Sequence, residues 1–477
     1  MSAPTETNTT APGTLSVGIE TMGCRLNQYE SDGLMQKFLS TGRYAARSVK
    51  DGPDIAILNT CTVTDQADAR NRAAIRRIRR QNPDARIIVT GCFAQTDPEK
   101  IRALEGVSLV VGNDRKSSLF DIVEGLLNGD GGAGEFTSSS ASGTPVVDVG
   151  TAATPGPIPR EARPRLDDPF GYGAVLPFGH TRAYLKIQDG CDRNCSYCKI
   201  PLARGRGTSR RLPDILDELR RLEDDGVPEV VLTGVNLGWY RDRVAGLRFA
   251  NLLERMLESL TTMRLRLSSI EPCDVDGPLG ELSLHPLFCD FLHVPLQSGS
   301  REILKRMRRT YNPYSFLKRC EAVRAHNPGI FLGTDVIVGF PGETEADFQA
   351  TLDLCRDTGM ANIHAFRFSA REGTEAAAFK ERVSDSVVRE RMNRLIELSQ
   401  SGWREYAEQQ IGGVRRAVVE HGSTKEPGVG RALTDNFLRL TFETDAKDAT
   451  GPRPGQLRDF RLLEIEDGRI RAEPHQA

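Results

Sequence analysis

The 477-residue sequence has no apolar run long enough to cross a membrane, so no transmembrane helix is expected. It also lacks a charge excess. A formal net charge of -2 excludes a globally basic nucleic-acid binder, and any polyanion must be met by local basic patches. Residues 1–14 are polar and rich in Thr and Pro, without the apolar stretch of a signal peptide. The ten cysteines are thinly spread apart from one triplet, the pattern of a reducing cytoplasm in which thiolates are reserved for metal. With 39% apolar and 27% charged residues the composition is globular, and the length allows two or three domains.

What is present centres on residues 185–201, LKIQDGCDRNCSYCKIP. An alternating apolar run ends at Gly190, and Cys191, Cys195 and Cys198 follow within one short loop. Three thiolates so close together can face a single point. The spacing CxxxCxxC is one ligand short of a closed zinc site or a fully ligated iron–sulfur cube, which leaves an open metal position suited to chemistry. A zinc knuckle completed by a distant fourth ligand, or a chance cluster, is the bland alternative.

Along the chain, residues 1–13 are expected to be disordered. Residues 14–127 then alternate strand and helix: strands at 15–21, 54–59 and 86–90, helices at 27–41 and 66–81, the second stopped by Asn82-Pro83. Such alternation predicts a parallel sheet covered on both faces, whose strand carboxyl ends open onto one crevice. Cys24, Cys61 and Cys92 each follow one of these strands, so they are expected to converge on a second metal cluster. Taken singly, each cysteine reads as a small buried hydrophobe. The helix at 66–81 carries Arg70, Arg72, Arg76, Arg77, Arg79 and Arg80, with Ile75 and Ile78 left to face the sheet. Its arginines read either as a solvated face or as a surface tracking phosphates.

Residues 128–178 turn to Gly, Ser, Thr, Ala and Pro, too few apolar side chains to offset ordering entropy, and read as a flexible linker. From 179 to 409 the βα rhythm resumes through six strands, at 183–188, 229–233, 264–269, 291–295, 331–338 and 363–368, a partial and open parallel barrel. Barrel sites are built at strand carboxyl ends, where the cysteine triplet falls. The other strand ends carry Gly234 and Asn236, Glu271, Gln297 and Ser298, and Gly339. These residues suit contacts to an amino acid, a ribose and an adenine, or ordinary turns. Cys273, Cys289, Cys320 and Cys355 read as packing residues. Residues 410–475 show short strands at 416–420, 437–443 and 458–466, and Asp467-Gly468 signals a hairpin. They predict a small antiparallel barrel, either a structural cap or a nucleic-acid binder using Arg431, Asn436, Phe437 and Arg439.

Seven motifs, MGCRLNQYES, NTCTVTDQAD, VTGCFAQ, LKIQDGCDRNCSYC, LSSIEP, HVPLQSGS and DVIVGFPGET, make the chain resemble the radical S-adenosylmethionine methylthiotransferases. The resemblance spans nearly everything outside the amino terminus and the linker. It implies a multidomain α/β protein with an amino-terminal parallel αβα domain, a partial (βα)6 radical SAM barrel and a small carboxyl-terminal β-barrel called TRAM. It further implies two [4Fe–4S] clusters, one on Cys24, Cys61 and Cys92 and one on Cys191, Cys195 and Cys198, with Tyr197 beside the cofactor S-adenosylmethionine. NTCTVT, IQDGCD and TDNF resemble the branch that methylthiolates N6-threonylcarbamoyladenosine at position 37 of tRNA. The alternatives are the branches acting on N6-isopentenyladenosine in tRNA or on an aspartate of ribosomal protein S12, and, from another class, a non-catalytic iron–sulfur RNA-binding protein. Lys199 and Phe437 depart from the family pattern. The implied partners are the tRNA anticodon stem-loop and an electron donor such as flavodoxin or ferredoxin, for a cytoplasmic monomer.

Overall fold

The structure is a computed structural model describing residues 14–128, 146–149, 163–422, 426–444 and 451–475. It divides into two compact units, one of residues 1–179, 188–208 and 369–378, the other of 180–187, 209–368 and 379–477. The expected disordered start and much of the expected linker lie outside the described residues.

The first unit is built on a six-stranded parallel sheet, order β2-β1-β3-β4-β5-β6. Its strands are β1 (Leu15–Thr21), β2 (Tyr44–Ala46), β3 (Ile55–Thr60), β4 (Arg86–Gly91), β5 (Val107–Val111) and β6 (Val146–Asp148). Every residue of β3 is buried, as a central strand covered on both faces requires. The main helices are α1 (Arg25–Ser40) and α2 (Asp65–Gln81). At the start of α2 the Thr64 hydroxyl accepts from the Ala67 amide, and Asp65 and Asp68 sit in the first turn, a favourable beginning by capping and dipole alike. Ile75 and Ile78 are buried against the sheet, as the sequence predicts.

The short strands β2 and β6, and β5, were not legible from periodicity. Three-residue strands such as β2 and β6 are recruited by a neighbouring edge rather than by their own pattern. The stretch read as linker therefore contributes β6 to the sheet, and residues 163–178 pack as well. Tyr172 meets Tyr29 edge-on at 5.9 Å, over Gly33, where a Cβ would stand 2.6 Å from the Tyr172 Cβ.

The second unit holds the six expected βα strands as two parallel three-stranded sheets. One contains β7 (Ala183–Lys186), β8 (Glu229–Thr233) and β9 (Arg264–Leu267). The other contains β10 (Phe291–His293), β11 (Phe331–Val338) and β12 (Asn362–Arg367), and a bridge between Leu265 and Phe288 joins the halves. Leu185, Leu232, Leu267, Leu292 and Val336 share one core with the covering helices. Cys289, Cys320 and Cys355 are buried, consistent with packing. A closed antiparallel-rich barrel follows, with β13 (Val414–Glu420), β14 (Val429–Thr434), β15 (Arg439–Glu443), β16 (Leu457–Glu466) and β17 (Arg469–Pro474). Asp467 and Gly468 have φ of 48° and 71° and turn β16 into β17, as expected of that dipeptide.

The barrel is bound to the rest of this unit by buried charge. Glu229 accepts from Arg264 Nε at 2.7 Å and from Arg266 Nε at 2.8 Å, and all three are buried. The two guanidinium groups donate onward to the carbonyls of Arg416, Leu433, Thr434 and Asp435 at 2.8–2.9 Å. This contact corrects two sequence expectations. Asn436 is buried, donating to Tyr406 and Gln410, and Phe437 stacks on Phe291 at 4.3 Å, so neither is presented to nucleic acid. Arg431 is paired with Glu426, while Arg439 remains exposed. Glu229→Gln, which leaves two buried guanidinium groups under-compensated, should cost about 3–5 kcal/mol. A urea midpoint unchanged from the wild type would count against this reading.

Candidate functional site

In the first unit β1, β3 and β4 are adjacent, and Cys24, Cys61 and Cys92 stand just past their carboxyl ends. Sequence reasoning expected these three to converge, and the thiols of Cys24, Cys61 and Cys92 do interact electrostatically with one another. Gly23 allows the approach: its φ is 105°, and a Cβ there would stand 2.5 Å from the Cys61 Cβ. Cys24 is exposed, yet burial by surrounding protein pushes its thiol upward, which together describe a residue lining a recess. Burial raises Cys61 to about 12, with Cys92 and Cys24 adding to the shift. Opposing this, the sulfurs receive N–H donors. The Asn27 backbone serves Cys24, the Val63 backbone serves Cys61, and the Asn113 carboxamide lies 3.5 Å from Cys92 Sγ. Such donors favour the thiolate and are a usual second layer around sulfur-ligated metal.

The second trio lies in the same compact unit, in the loop that runs into α6, counting α3 (Cys92–Thr96), α4 (Pro98–Arg102), α5 (Leu119–Asn128) and α6 (Ile200–Arg204) in chain order. Gly190 has φ 69°, and a Cβ would stand 1.9 Å from the Arg206 carbonyl, so the chain can turn here only with glycine. The Cys191 amide donates to the Gly205 carbonyl at 3.0 Å, and the Cys198 amide to Cys195 O at 3.1 Å. The Arg193 amide lies 3.4 Å from Cys191 Sγ. Arg163 donates to Cys191 O at 2.8 Å and also holds Asn194.

Arg204, six residues past the triplet and fully buried, joins the two trios. It donates to Glu30 at 2.8 Å, to Asp189 at 3.0 Å and to the Asn27 carboxamide oxygen at 2.6 Å. Asn27 in turn donates to the carbonyls of Met22 and Thr60, just before Cys24 and Cys61. Lys116 completes the charge balance, 2.7 Å from Glu30 and 3.0 Å from Asn59 Oδ1. Asn113 donates both to Cys92 Sγ and to Ala203 O at 2.9 Å. None of these partners was singled out from the sequence; the available signal was the run Asn27, Glu30, Ser31 and Asp32 on the buried side of α1. Lys199, the departure noted above, is explained locally, since its ammonium lies 2.6 Å from buried Asp97.

Beside Cys61 a cleft of about 730 Å³ is lined by Gly23, Glu20, Arg70, Arg77 and Arg80, so part of the arginine-rich face borders this site rather than open solvent alone. Of the other expected contact residues, Tyr197 is half-buried, Gly234 is partly exposed, Asn236 and Ser298 are buried, and Gln297 holds a left-handed φ of 65°. Glu271 accepts from Arg309 at 2.6 Å, and the Gly339 amide donates to Glu343 at 2.8 Å.

Comparison with known proteins agrees with this geometry. Residues 185–355 match the radical SAM superfamily, and residues 16–112 match the uncharacterized protein family UPF0004. Among solved structures, the radical S-adenosylmethionine methyltransferase TsrM from Kitasatospora setae shares the fold at a TM-score of 0.53 and 17% identity, over 76% of this chain and 74% of that one. Fold and thiol sets thus define a radical SAM protein with an additional cysteine-bearing α/β domain. The threonylcarbamoyladenosine tRNA methylthiotransferase MtaB of Bacillus subtilis is 34% identical over 90% of both chains, and that of Thermotoga maritima 35% identical over 95% of both. The tRNA-2-methylthio-N(6)-dimethylallyladenosine synthase of Aquifex aeolicus is 33% identical over 88% of this chain and 91% of its own. The chain belongs to the MtaB-type radical SAM methylthiotransferase family. Among the described residues no helix is long and apolar enough to cross a membrane.

Two outcomes follow for the buried charges. Arg204→Met, by stranding Glu30 and Asp189, should lower the stability of this unit by about 3–5 kcal/mol, read as an earlier loss of protection in hydrogen exchange. Asp97, opposed by burial but held down to about 2 by hydrogen bonds from Lys100, Lys199 and Thr96, contributes stability above its unfolded value of about 4 and loses it as pH falls toward 2. An acid-unfolding curve of Asp97→Asn should be flatter across that window; an unaltered curve would remove Asp97 from the acid limb.

Proposed function

We propose that this protein is a tRNA methylthiotransferase that adds a methylthio group to C2 of N6-threonylcarbamoyladenosine at position 37. The observation that carries the reading is the 34–35% identity to MtaB chains over nine-tenths or more of both sequences. The two thiol trios fit the iron–sulfur chemistry of the class, since each supplies three soft ligands with N–H donors close to the sulfurs. In this reading Cys24, Cys61 and Cys92 hold one [4Fe–4S] cluster and Cys191, Cys195 and Cys198 the other. S-adenosylmethionine and the two clusters supply a radical able to attack an unactivated C–H bond, together with sulfur and methyl for its replacement.

The chain's own part is positioning. Gly190 and Gly23 let the backbone fold tightly beside each trio, and Arg204 fixes the loops preceding Cys24, Cys61 and Cys191. Tyr197, Gly234, Asn236, Glu271, Gln297, Ser298 and Gly339 contact S-adenosylmethionine, the small residues giving backbone access and the polar ones recognising its amino acid and ribose. Arg70 and Arg80 along the cleft by Cys61, and Arg439 on the barrel, meet phosphates of the tRNA anticodon stem-loop. The enzyme works as a cytoplasmic monomer reduced by a flavodoxin or ferredoxin.

Nucleoside mass spectrometry of tRNA from a strain with and without the gene tests the substrate. Loss of the 2-methylthio derivative of threonylcarbamoyladenosine is expected; loss of the isopentenyladenosine derivative instead would overturn the assignment. The protein purified without air should hold about eight irons, and serine at Cys24, Cys61 and Cys92 together should halve that while S-adenosylmethionine cleavage persists. Arg439→Glu should weaken tRNA binding and shallow its salt dependence by about one phosphate contact.

A further inference from the structure

In the second unit, β10, β11 and β12 alternate strictly between two faces. Leu292, Thr334, Val336, Val338 and Ile363 turn toward the covering helices or are buried with them. His293, Asp335 and His364 lie on the opposite face, one from each of three adjacent parallel strands, with Asp335 level with His364 and His293 level with Gly333. His293 Nε2 is 2.9 Å from Asp335 Oδ1, His364 Nδ1 is 3.5 Å from the same oxygen, and one ligating atom from each residue falls within 4.8 Å of the others. The seat of His293 is shaped by its neighbour: a Cβ on Gly333 would stand 3.1 Å from His293 Nδ1. Exposure rises across the trio, with the side chains of His293, Asp335 and His364 at 9%, 24% and 52%, so the set opens on the His364 side.

We propose that His293, Asp335 and His364, none of which belongs to either cysteine trio, bind a divalent first-row transition ion, zinc or iron(II). A metal about 2.1 Å from two imidazole nitrogens and one carboxylate oxygen requires donor separations of roughly 3.0–3.4 Å. The separations to Asp335 Oδ1, 2.9 and 3.5 Å, bracket that range. As metal ligands, two imidazole nitrogens and one carboxylate bring a single negative charge, which a divalent ion compensates. Two nitrogens and one oxygen grouped on one face are a ligand set that borderline ions accept while keeping open positions, and the exposed His364 side is where those positions point. They suit an oxygen donor such as a carboxylate or phosphate.

The test uses the full-length protein with its cysteines already occupied by iron. After anaerobic dialysis against micromolar zinc, elemental analysis should find one zinc per chain in addition to the iron, and X-ray absorption should show nitrogen and oxygen neighbours only. His364→Ala, a half-exposed position where folding is spared, should lose that zinc and keep its iron; His293→Ala should do the same. Zinc absent from the wild type, zinc retained by both variants, or sulfur neighbours at about 2.3 Å would overturn the site.

Discussion

A single buried guanidinium organises the first unit. Arg204 reaches its partners from the short helix that follows the cysteine triplet, and those partners come from α1 and from the residue two before Cys191. Taking Arg204, Lys116, Glu30 and Asp189 out of water is costly, and an apolar cluster of equal volume would give at least as much stability. What the apolar alternative could not give is direction. The hydrogen bonds from Arg204 to Asn27 and Asp189 hold the segments that carry the thiols, and the positional tolerance of a reactive centre is far narrower than that of a core.

The second unit repeats the device with different consequences. Glu229 gathers Arg264 and Arg266, and their remaining donors are spent on four barrel carbonyls. Four backbone carbonyls of the barrel thereby gain a buried charged donor. Because the same junction takes Asn436 inward and sets Phe437 against Phe291, these two residues of the TDNF motif pack within the unit, while Arg439 is exposed on the barrel.

Much of this architecture was legible in the sequence. The strands at 229–233 and 331–338 coincide with the observed ones to the residue, because their β-branched and apolar residues lie between clear turn signals, Gly226-Val227-Pro228 before the first and Asn327-Pro328-Gly329 and Gly339-Phe340-Pro341-Gly342 around the second. That Cys24, Cys61 and Cys92 follow three neighbouring strand ends was legible because parallel strands, once placed, bring their carboxyl ends to one edge. Illegible were the strands whose pairing is decided by neighbours, such as β6, and the fate of polar residues that need a distant partner. Lys199 and Asp97 are 102 positions apart, and no local pattern announces their pairing. Asn436 and Phe437 failed for the converse reason: a polar and an aromatic residue side by side suit a binding surface or an interface equally, and only the buried guanidinium groups opposite decide.

The helix α1 shows where periodicity reasoning stops. A helix beside a sheet ordinarily turns an apolar stripe inward. Here the buried residues of the first two turns include Asn27, Glu30, Ser31 and Asp32 beside Leu26 and Tyr29, and only beyond Asp32, through Leu34, Met35 and Phe38, is the buried face free of polar side chains. The polar half is the one beside the thiols and Arg204. A buried helical face that changes from polar to apolar within three turns therefore marks the boundary between the part that builds a site and the part that holds the fold. That boundary lies in the sequence itself, once the strand order shows which end of the helix meets the cysteines.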